Sequence, residues 1–410
     1  MISINAPRTP VRGEIPLAAS KSESNRALII QALGGPDIAL ENLASARDTQ
    51  TMIRLLSSDN HVLDVIDAGT TMRFLTAYLS AVDQDQLLTG TPRMCNRPIG
   101  ILVDALRELG AEIKYWKQEG YPPLHIMRRG SPLKGGSLSI AGNVSSQYIS
   151  AILMIAPTLK QGLTLTLEGA VSSRPYIEMT LALMEHFGIT HRWEDAVISI
   201  EEQAYQGGTY TIESDWSAAS YWYAVAAIAP EADLKLLGLR EQSFQGDRGI
   251  VELMRHFGVE SEFDETGVRL IKTTPLTQLK PLNLDFTKTP DLAQTIGVVS
   301  AATGIPVRMT GLHTLRIKET DRIAAMQTEL AKFGVDMLVE GDICTIQGQA
   351  QPSKEPLHTY EDHRMAMAFA PLAWLDPESS LTVDDEEVVQ KSYPEYWDHL
   401  QMVGLSVTSF

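Results

Sequence analysis

The residues of this chain best suited to do chemistry are lysines and arginines at the starts of Ser-, Gly- and Thr-rich helical segments. The chemistry they suit is the gripping of small phosphorylated anions. In AASKSESNRALII, Ser20 is placed as an N-cap, with Lys21, Ser22 and Arg26 in the first turns. DAGTTMRFL opens a second helix with Gly69 and Thr70, and Arg73 follows one turn on. GNVSSQYISAIL begins a third with Ser145, Ser146 and Gln147. Unpaired backbone N–H groups and the positive end of the helix dipole make such starts good anion sites. Each segment alone also reads as an ordinary capped helix; three together, with added cations, favour an anion site.

The sharpest local pattern is RIKETDRIAAM (Arg316–Met326). On a helix Lys318 and Arg322 are four apart and share a face, with Glu319 beside them. In YEDHRMAMAFAPLAW, Asp362, His363 and Arg364 stand ahead of a nearly all-apolar helix that must be buried. Three polar groups at such a place need partners or a ligand. Lys391 stands just ahead of the last helix, in VQKSYPEYW. There is no GxGxxG after a strand, no GxxxxGK[ST], no HExxH and no paired Cys/His cluster, so dinucleotide, nucleotide and metal chemistry gain no support.

These residues must be positioned by a scaffold, and the scaffold is visible as a weak internal repeat. A helical stretch ending in Gly and running into an apolar strand recurs at LRELGAEI, MEHFGITH, MRHFGVES, LAKFGVDM and LQMVGLSV. Its glycines, Gly110, Gly188, Gly258, Gly334 and Gly404, are roughly 70 to 78 residues apart, the size of a supersecondary unit. A sixth copy at Met52–Val65 lacks the Gly and is abbreviated. Short alternating segments such as LTLTLEG and ICTIQG lie between the helices as strands. The pattern predicts an α/β chain of six βαβαββ-like units, three per domain, with the first shortened.

The totals bound the partners. At 410 residues two domains are expected. A net charge of −17 argues against nucleic acid or an anionic membrane, though a local basic pocket can still hold small anions. Cys95 and Cys344 are the only cysteines and have no disulfide or zinc spacing, which fits a reducing cytoplasm. The N-terminal MISINAPRTPVRG has no apolar signal-peptide core. The apolar run YWYAVAAIAP falls short of a bilayer span and reads as a buried helix.

Taken in order along nearly the whole chain, KSESNRAL, DAGTTMRF, GTPRMCNRPIG, GNVSSQY, SRPYIEMT, ESDWSAASY, TPDLAQTI, RIKETDR, YEDHRMAM and KSYPEYW resemble the 5-enolpyruvylshikimate-3-phosphate synthase family. The resemblance implies the two-domain enolpyruvyl transferase fold of six such units. One domain would hold 1–19 with 215–410 and the other 20–214, with the active site in the cleft between them. It implies a monomeric enzyme of aromatic amino acid biosynthesis that needs neither metal nor organic cofactor. The reaction moves the enolpyruvyl group of phosphoenolpyruvate to the 5-hydroxyl of shikimate 3-phosphate by addition and elimination. Carried over, Lys21, Ser22, Arg26, Ser145, Ser146, Gln147, Ser173, Tyr176, Asp291, Thr314 and Lys318 would surround shikimate 3-phosphate. Lys21, Gly69, Arg97, Gln147, Arg322, Arg364 and Lys391 would hold phosphoenolpyruvate. Asp291 would accept the hydroxyl proton, with Glu319 and Lys21 dividing the remaining proton transfers.

Three departures from the family pattern stand out. The stretch between Asp48 and Asp67 is short by a strand pair, Phe74 replaces the proline usual after Met-Arg, and Thr314 falls where many members have asparagine. Enolpyruvyl transfer to a nucleotide sugar, the rival within this fold, would want a reactive Cys in a Gly-rich loop, and Cys95 in PRMCNRP has no such setting. Glyphosate is the family's inhibitor, and Gly69 is expected to leave room against the backbone for it. Seven cations, Lys21, Arg26, Arg97, Lys318, Arg322, Arg364 and Lys391, are expected to repel one another until anionic substrates neutralise them.

Overall fold

Glycines end the helices of this chain where the repeat placed them. In the computed structural model, which describes residues 1–274 and 281–410, Gly110, Gly188, Gly258, Gly334 and Gly404 have φ of 100°, 80°, 76°, 73° and 100°. Residues with a Cβ rarely adopt this left-handed region, so glycine at these points stops each helix and turns the chain toward a strand. The chain divides into two compact units, Ala19–Ile212 on one side and Met1–Ala18 with Glu213–Phe410 on the other.

Four sheets share one plan. In the Ala19–Ile212 unit, Val62–Asp64 and Gln86–Thr89 pair in parallel, and the antiparallel pair Glu112–Tyr115 and Leu124–Met127 joins through its second member. The spatial order is therefore first, second, fourth, third. Gly136–Ala141, Leu163–Glu168, Arg192–Glu194 and Val197–Ile200 repeat it. So do Val11–Ile15, Ala232–Leu237, Val259–Asp264 and Gly267–Lys272 in the other unit. Leu282–Asp285, Val307–Thr310, Asp336–Glu340 and Ile343–Gln347 follow the same order.

The two remaining sheets are variations. Ile2–Asn5 lies between Leu381–Val383 and Ser406–Ser409, and the place of a first strand is marked by a single parallel bridge from Leu357 to Val383. The abbreviated copy is reduced to Ile38–Glu41 paired in parallel with Gly208–Thr211. Its helix, Arg47–Leu56, is followed directly by Val62–Asp64, which belongs to the neighbouring sheet. The missing strand pair of the sequence is thus missing from the fold. Among the described residues six units result, three in each half.

The apolar helices are central, as their composition requires. Trp216–Ile228 and Ala293–Thr303 are buried around almost their whole circumference, and Trp216, Trp222, Tyr221 and Phe286 anchor the same core. Each such side chain contributes about 1.5–3 kcal/mol on burial. The YWYAVAAIAP run is therefore a core helix. Among the described residues no helix is long and apolar enough to cross a membrane.

Candidate active site

In the Met1–Ala18 and Glu213–Phe410 unit, three cations converge on one carboxylate. Asp291 sits in the 3-10 turn Pro290–Leu292 that leads into the helix Ala293–Thr303. Its Oδ1 accepts from the Arg322 guanidinium at 2.8 Å and lies 3.5 Å from Lys318 Nζ, while Oδ2 accepts from Arg364 at 3.0 Å. Burial opposes its ionisation and Glu319 repels it, yet Arg364, Lys318 and Arg322 together hold the carboxyl well below the usual range.

The arrangement corrects one expectation. The helix begins at Arg322, not before it, and Lys318 and Glu319 lie in the bend between the 3-10 segment His313–Ile317 and that helix. Asp321 is the reason, since its Oδ1 caps the N–H groups of Ile323 and Ala324. Lys318 and Arg322 still meet, but through Asp291 rather than along a helical face.

Arg322 is 2% exposed and has a carboxylate for every nitrogen: Nε bonds Asp362 at 2.7 Å, one terminal nitrogen Asp291, the other Glu319 at 2.9 Å. Burial lowers its pKa, but Asp362, Glu319 and Asp291 outweigh burial and raise it. Asp362 also caps the His363–Phe369 helix by accepting from the Arg364 N–H at 2.9 Å. Arg364 donates further to Tyr221 Oη at 3.2 Å and Ser217 Oγ at 3.3 Å. Lys391, at the end of the 3-10 segment Glu386–Lys391, is 2% exposed. Thr314 Oγ1 is buried and has no hydrogen-bond partner among the described residues.

Sequence reasoning missed Asp247, whose carboxylate accepts from Ser217 Oγ. Burial, then repulsion from Asp291, push its pKa up to about 6, with Arg364 opposing. A carboxyl raised in the folded state loses stability as pH rises from the unfolded value through the folded one, here from about 4 to about 6. Asp247→Asn is therefore expected to raise unfolding free energy at neutral pH by roughly 2–3 kcal/mol, with little gain at pH 4. Urea unfolding at both pH values checks this, and an equal change at both would refute it.

In the Ala19–Ile212 unit the helix starts are as the sequence placed them. Ser20 caps Lys21–Gly34, and Ser145 caps Ser146–Ile155 by accepting from the Gln147 N–H. Lys21 Nζ pairs with Asp48 Oδ2 at 3.2 Å. Gln147 Nε2 reaches Thr70 Oγ1 at 3.1 Å, which ties the Ser146 helix to the start of Gly69–Ala81. Gly69 does not leave open room: a Cβ there would lie 2.7 Å from the Arg97 guanidinium, which packs against it. Gly69→Ala must therefore move Arg97. Ser173 takes φ of 53° ahead of the Arg174–His186 helix, an uncommon conformation for a residue with a side chain.

Arg26 sits where four helices meet. Its nitrogens donate to Thr180 Oγ1 at 2.7 Å, Ser22 O at 2.8 Å, Ser150 Oγ at 3.1 Å and Tyr176 O at 3.4 Å. The guanidinium lies 5.4 Å from the Phe74 ring centre and 5.9 Å from that of Tyr176. Phe74, the residue that replaces proline, thus forms part of the Arg26 floor. All four accepting atoms are uncharged oxygens, and burial lowers the Arg26 pKa to about 10.

The picture of seven bare like charges needs revision. Lys21, Lys318, Arg322 and Arg364 have carboxylate partners within their own units. Arg26 differs from Arg322 in that its hydrogen-bond partners carry no charge.

Comparison with known proteins places the chain in a family. The family model for EPSP synthase (3-phosphoshikimate 1-carboxyvinyltransferase) matches residues 53–400. A 3-phosphoshikimate 1-carboxyvinyltransferase of Bacteroides fragilis is 49% identical, over 98% of this chain and 98% of its own length. That of Vibrio atlanticus is 36% identical over 97% and 98%. A solved EPSP synthase structure from Acinetobacter baumannii shares the fold, with a TM-score of 0.78 at 23% identity across 100% of this chain and 99% of that one. A family model matched over residues 53–400, near full-length relatives and a shared fold lead to one assignment: the chain belongs to the EPSP synthase (3-phosphoshikimate 1-carboxyvinyltransferase) family.

Proposed function

We propose that the chain transfers the enolpyruvyl group of phosphoenolpyruvate to the 5-hydroxyl of shikimate 3-phosphate, with Asp291 as the base. The observation that carries the assignment of roles is the cluster in which Asp291, Glu319 and Asp362 share the Arg322 guanidinium. A base, a second carboxyl and anion-binding cations lie in one hydrogen-bonded group.

In the addition step the 5-hydroxyl oxygen bonds to C2 of phosphoenolpyruvate, its proton passes to Asp291, and C3 gains a proton to become a methyl group. In the elimination step C3 loses a proton, the double bond re-forms, and the C2–O bond to phosphate breaks. Glu319 is the donor to C3 in this reading, with Lys21 assisting. Lys21, Gly69, Arg97, Gln147, Arg322, Arg364 and Lys391 are the proposed phosphoenolpyruvate ligands. Lys21, Ser22, Arg26, Ser145, Ser146, Gln147, Ser173, Tyr176, Asp291, Thr314 and Lys318 are those of shikimate 3-phosphate. The uncharged hydrogen-bond partners of Arg26 and the unpartnered Thr314 hydroxyl support this, because a buried cation and a buried hydroxyl both gain from an anionic ligand.

A strongly depressed carboxyl is a poor base, which gives substrate a second part to play. Phosphate and carboxylate groups that engage Arg322, Arg364 and Lys318 weaken their hold on Asp291 and raise its basicity as the reactants meet. Purified chain is expected to release inorganic phosphate only when both substrates are supplied. Release no faster than in either single-substrate control would refute the assignment.

A further inference from the structure

Outside the residues given roles above, the edge of one sheet gathers two imidazoles and a carboxylate. His61 immediately precedes the edge strand Val62–Asp64, Asp85 precedes the adjacent Gln86–Thr89, and His125 lies in the next strand, Leu124–Met127. One group thus lies in a strand and two lie just ahead of other strands of the same sheet. They are 24 and 40 residues apart in sequence, measured from Asp85, so no short motif reveals them.

The geometry is compact. His125 Nε2 lies 3.1 Å from Asp85 Oδ1, and His61 Nδ1 lies 3.7 Å from the same oxygen. One ligand atom from each residue can be chosen so that all lie within 4.8 Å of one another. Zinc bound at about 2.0–2.1 Å in a tetrahedron sets its ligand atoms roughly 3.4 Å apart, between the two distances observed. The imidazole rings stand nearly perpendicular, at 83°, with centres 5.9 Å apart.

The strands fix the positions. The Leu87 N–H donates to His61 O at 2.9 Å, and His125 is the direct cross-strand partner of Leu87. Nearby Asp83 is engaged elsewhere, accepting from the N–H groups of Arg129 and Gly130 at 2.8 Å. The three side chains remain accessible, at 59% for His61, 49% for Asp85 and 27% for His125.

We propose that His61, Asp85 and His125 form a surface site for a divalent transition-metal ion of the zinc class. Two imidazoles and one carboxylate suit zinc, nickel or copper, whereas magnesium and calcium prefer all-oxygen sets. The fourth position is open to water. The bound ion joins the three-residue edge strand to two others at the point where the shortened first unit hands the chain over. Its role is to hold that edge, separate from the chemistry proposed for Asp291.

Full-length chain stripped with a chelator, then titrated calorimetrically with Zn²⁺, is expected to bind one ion saturably. His61→Ala and His125→Ala should each weaken binding by about tenfold or more, and the double variant should abolish it. Substrate-dependent phosphate release should be the same for all forms, with and without Zn²⁺, which also reports that the variants are folded. With Cu²⁺ as probe, the electron paramagnetic resonance spectrum of the unsubstituted chain should show coupling to two nitrogens. No saturable Zn²⁺ binding, undiminished binding by the double variant, or a Cu²⁺ spectrum without nitrogen coupling would overturn the proposal.

Discussion

Asp291→Asn is expected to lower kcat by about 10²–10⁴-fold, the usual range for loss of a positioned general base. The amide keeps the shape of the carboxylate but cannot take the hydroxyl proton. It also leaves Lys318, Arg322 and Arg364 close together with one fewer anion among them. Losing one member of a buried charge cluster typically destabilises by about 3–5 kcal/mol. Stability should therefore fall along with turnover. The pH dependence separates the two effects. A carboxylate with a depressed folded-state pKa stabilises fully above the ordinary carboxyl range and loses that contribution as pH falls through the folded value. The difference in stability between the unsubstituted chain and the Asp291→Asn variant should shrink in acid, whereas the loss of turnover at neutral pH should persist even when added salt restores the fold. Undiminished kcat would remove Asp291 from the chemistry.

Arg26→Met should do the opposite to stability while still abolishing much of the activity. Arg26 donates only to uncharged oxygens, and burial already weighs against its charge. An apolar side chain of similar length removes that burden. Thr180 Oγ1 and Ser150 Oγ keep each other as partners at 2.8 Å, so few groups are orphaned. Unfolding free energy should stay the same or rise by about 1 kcal/mol, as when buried charges give way to apolar side chains. Loss of a buried, charge-assisted contact to an anion typically costs about 2–5 kcal/mol, so kcat/KM for shikimate 3-phosphate should fall by about 10²-fold or more. A purely structural Arg26 would give the reverse, a less stable protein with near-normal kinetics.

Much of this was legible in the sequence because it rests on local rules. Ser20, Ser145 and Asp362 cap the helices they precede, and a cap acts on N–H groups two or three residues away. The five glycines end helices for an equally local reason. RIKETDR was legible as to its residues but not as to its shape. Asp321 could have been read as a cap that starts the helix at Arg322 and leaves Lys318 and Glu319 ahead of it. Asp247 and the His61, Asp85 and His125 group were not legible, because long-range strand and turn placement brings them to their neighbours. The space beside Gly69 was misjudged for the same reason, since Arg97 fills it from a later segment.

The strand Ile2–Asn5 is made by the ribosome long before the strands it pairs with. Its neighbours are Leu381–Val383 and Ser406–Ser409, and Val11–Ile15 likewise waits for Ala232–Leu237. Ala19–Ile212 is continuous and can fold once its own residues have emerged. The nascent chain therefore carries two unpaired strands ahead of that unit until Ala232–Leu237 emerges, and Ile2–Asn5 alone until Leu381–Val383 does. Such edges invite pairing with another chain. Arg8, Pro7 and Pro10 between them, and the charged Arg12 and Glu14 within the second strand, are the kinds of residue that discourage it. The sheet that holds Ile2–Asn5 therefore closes only after Ser406–Ser409 has been translated.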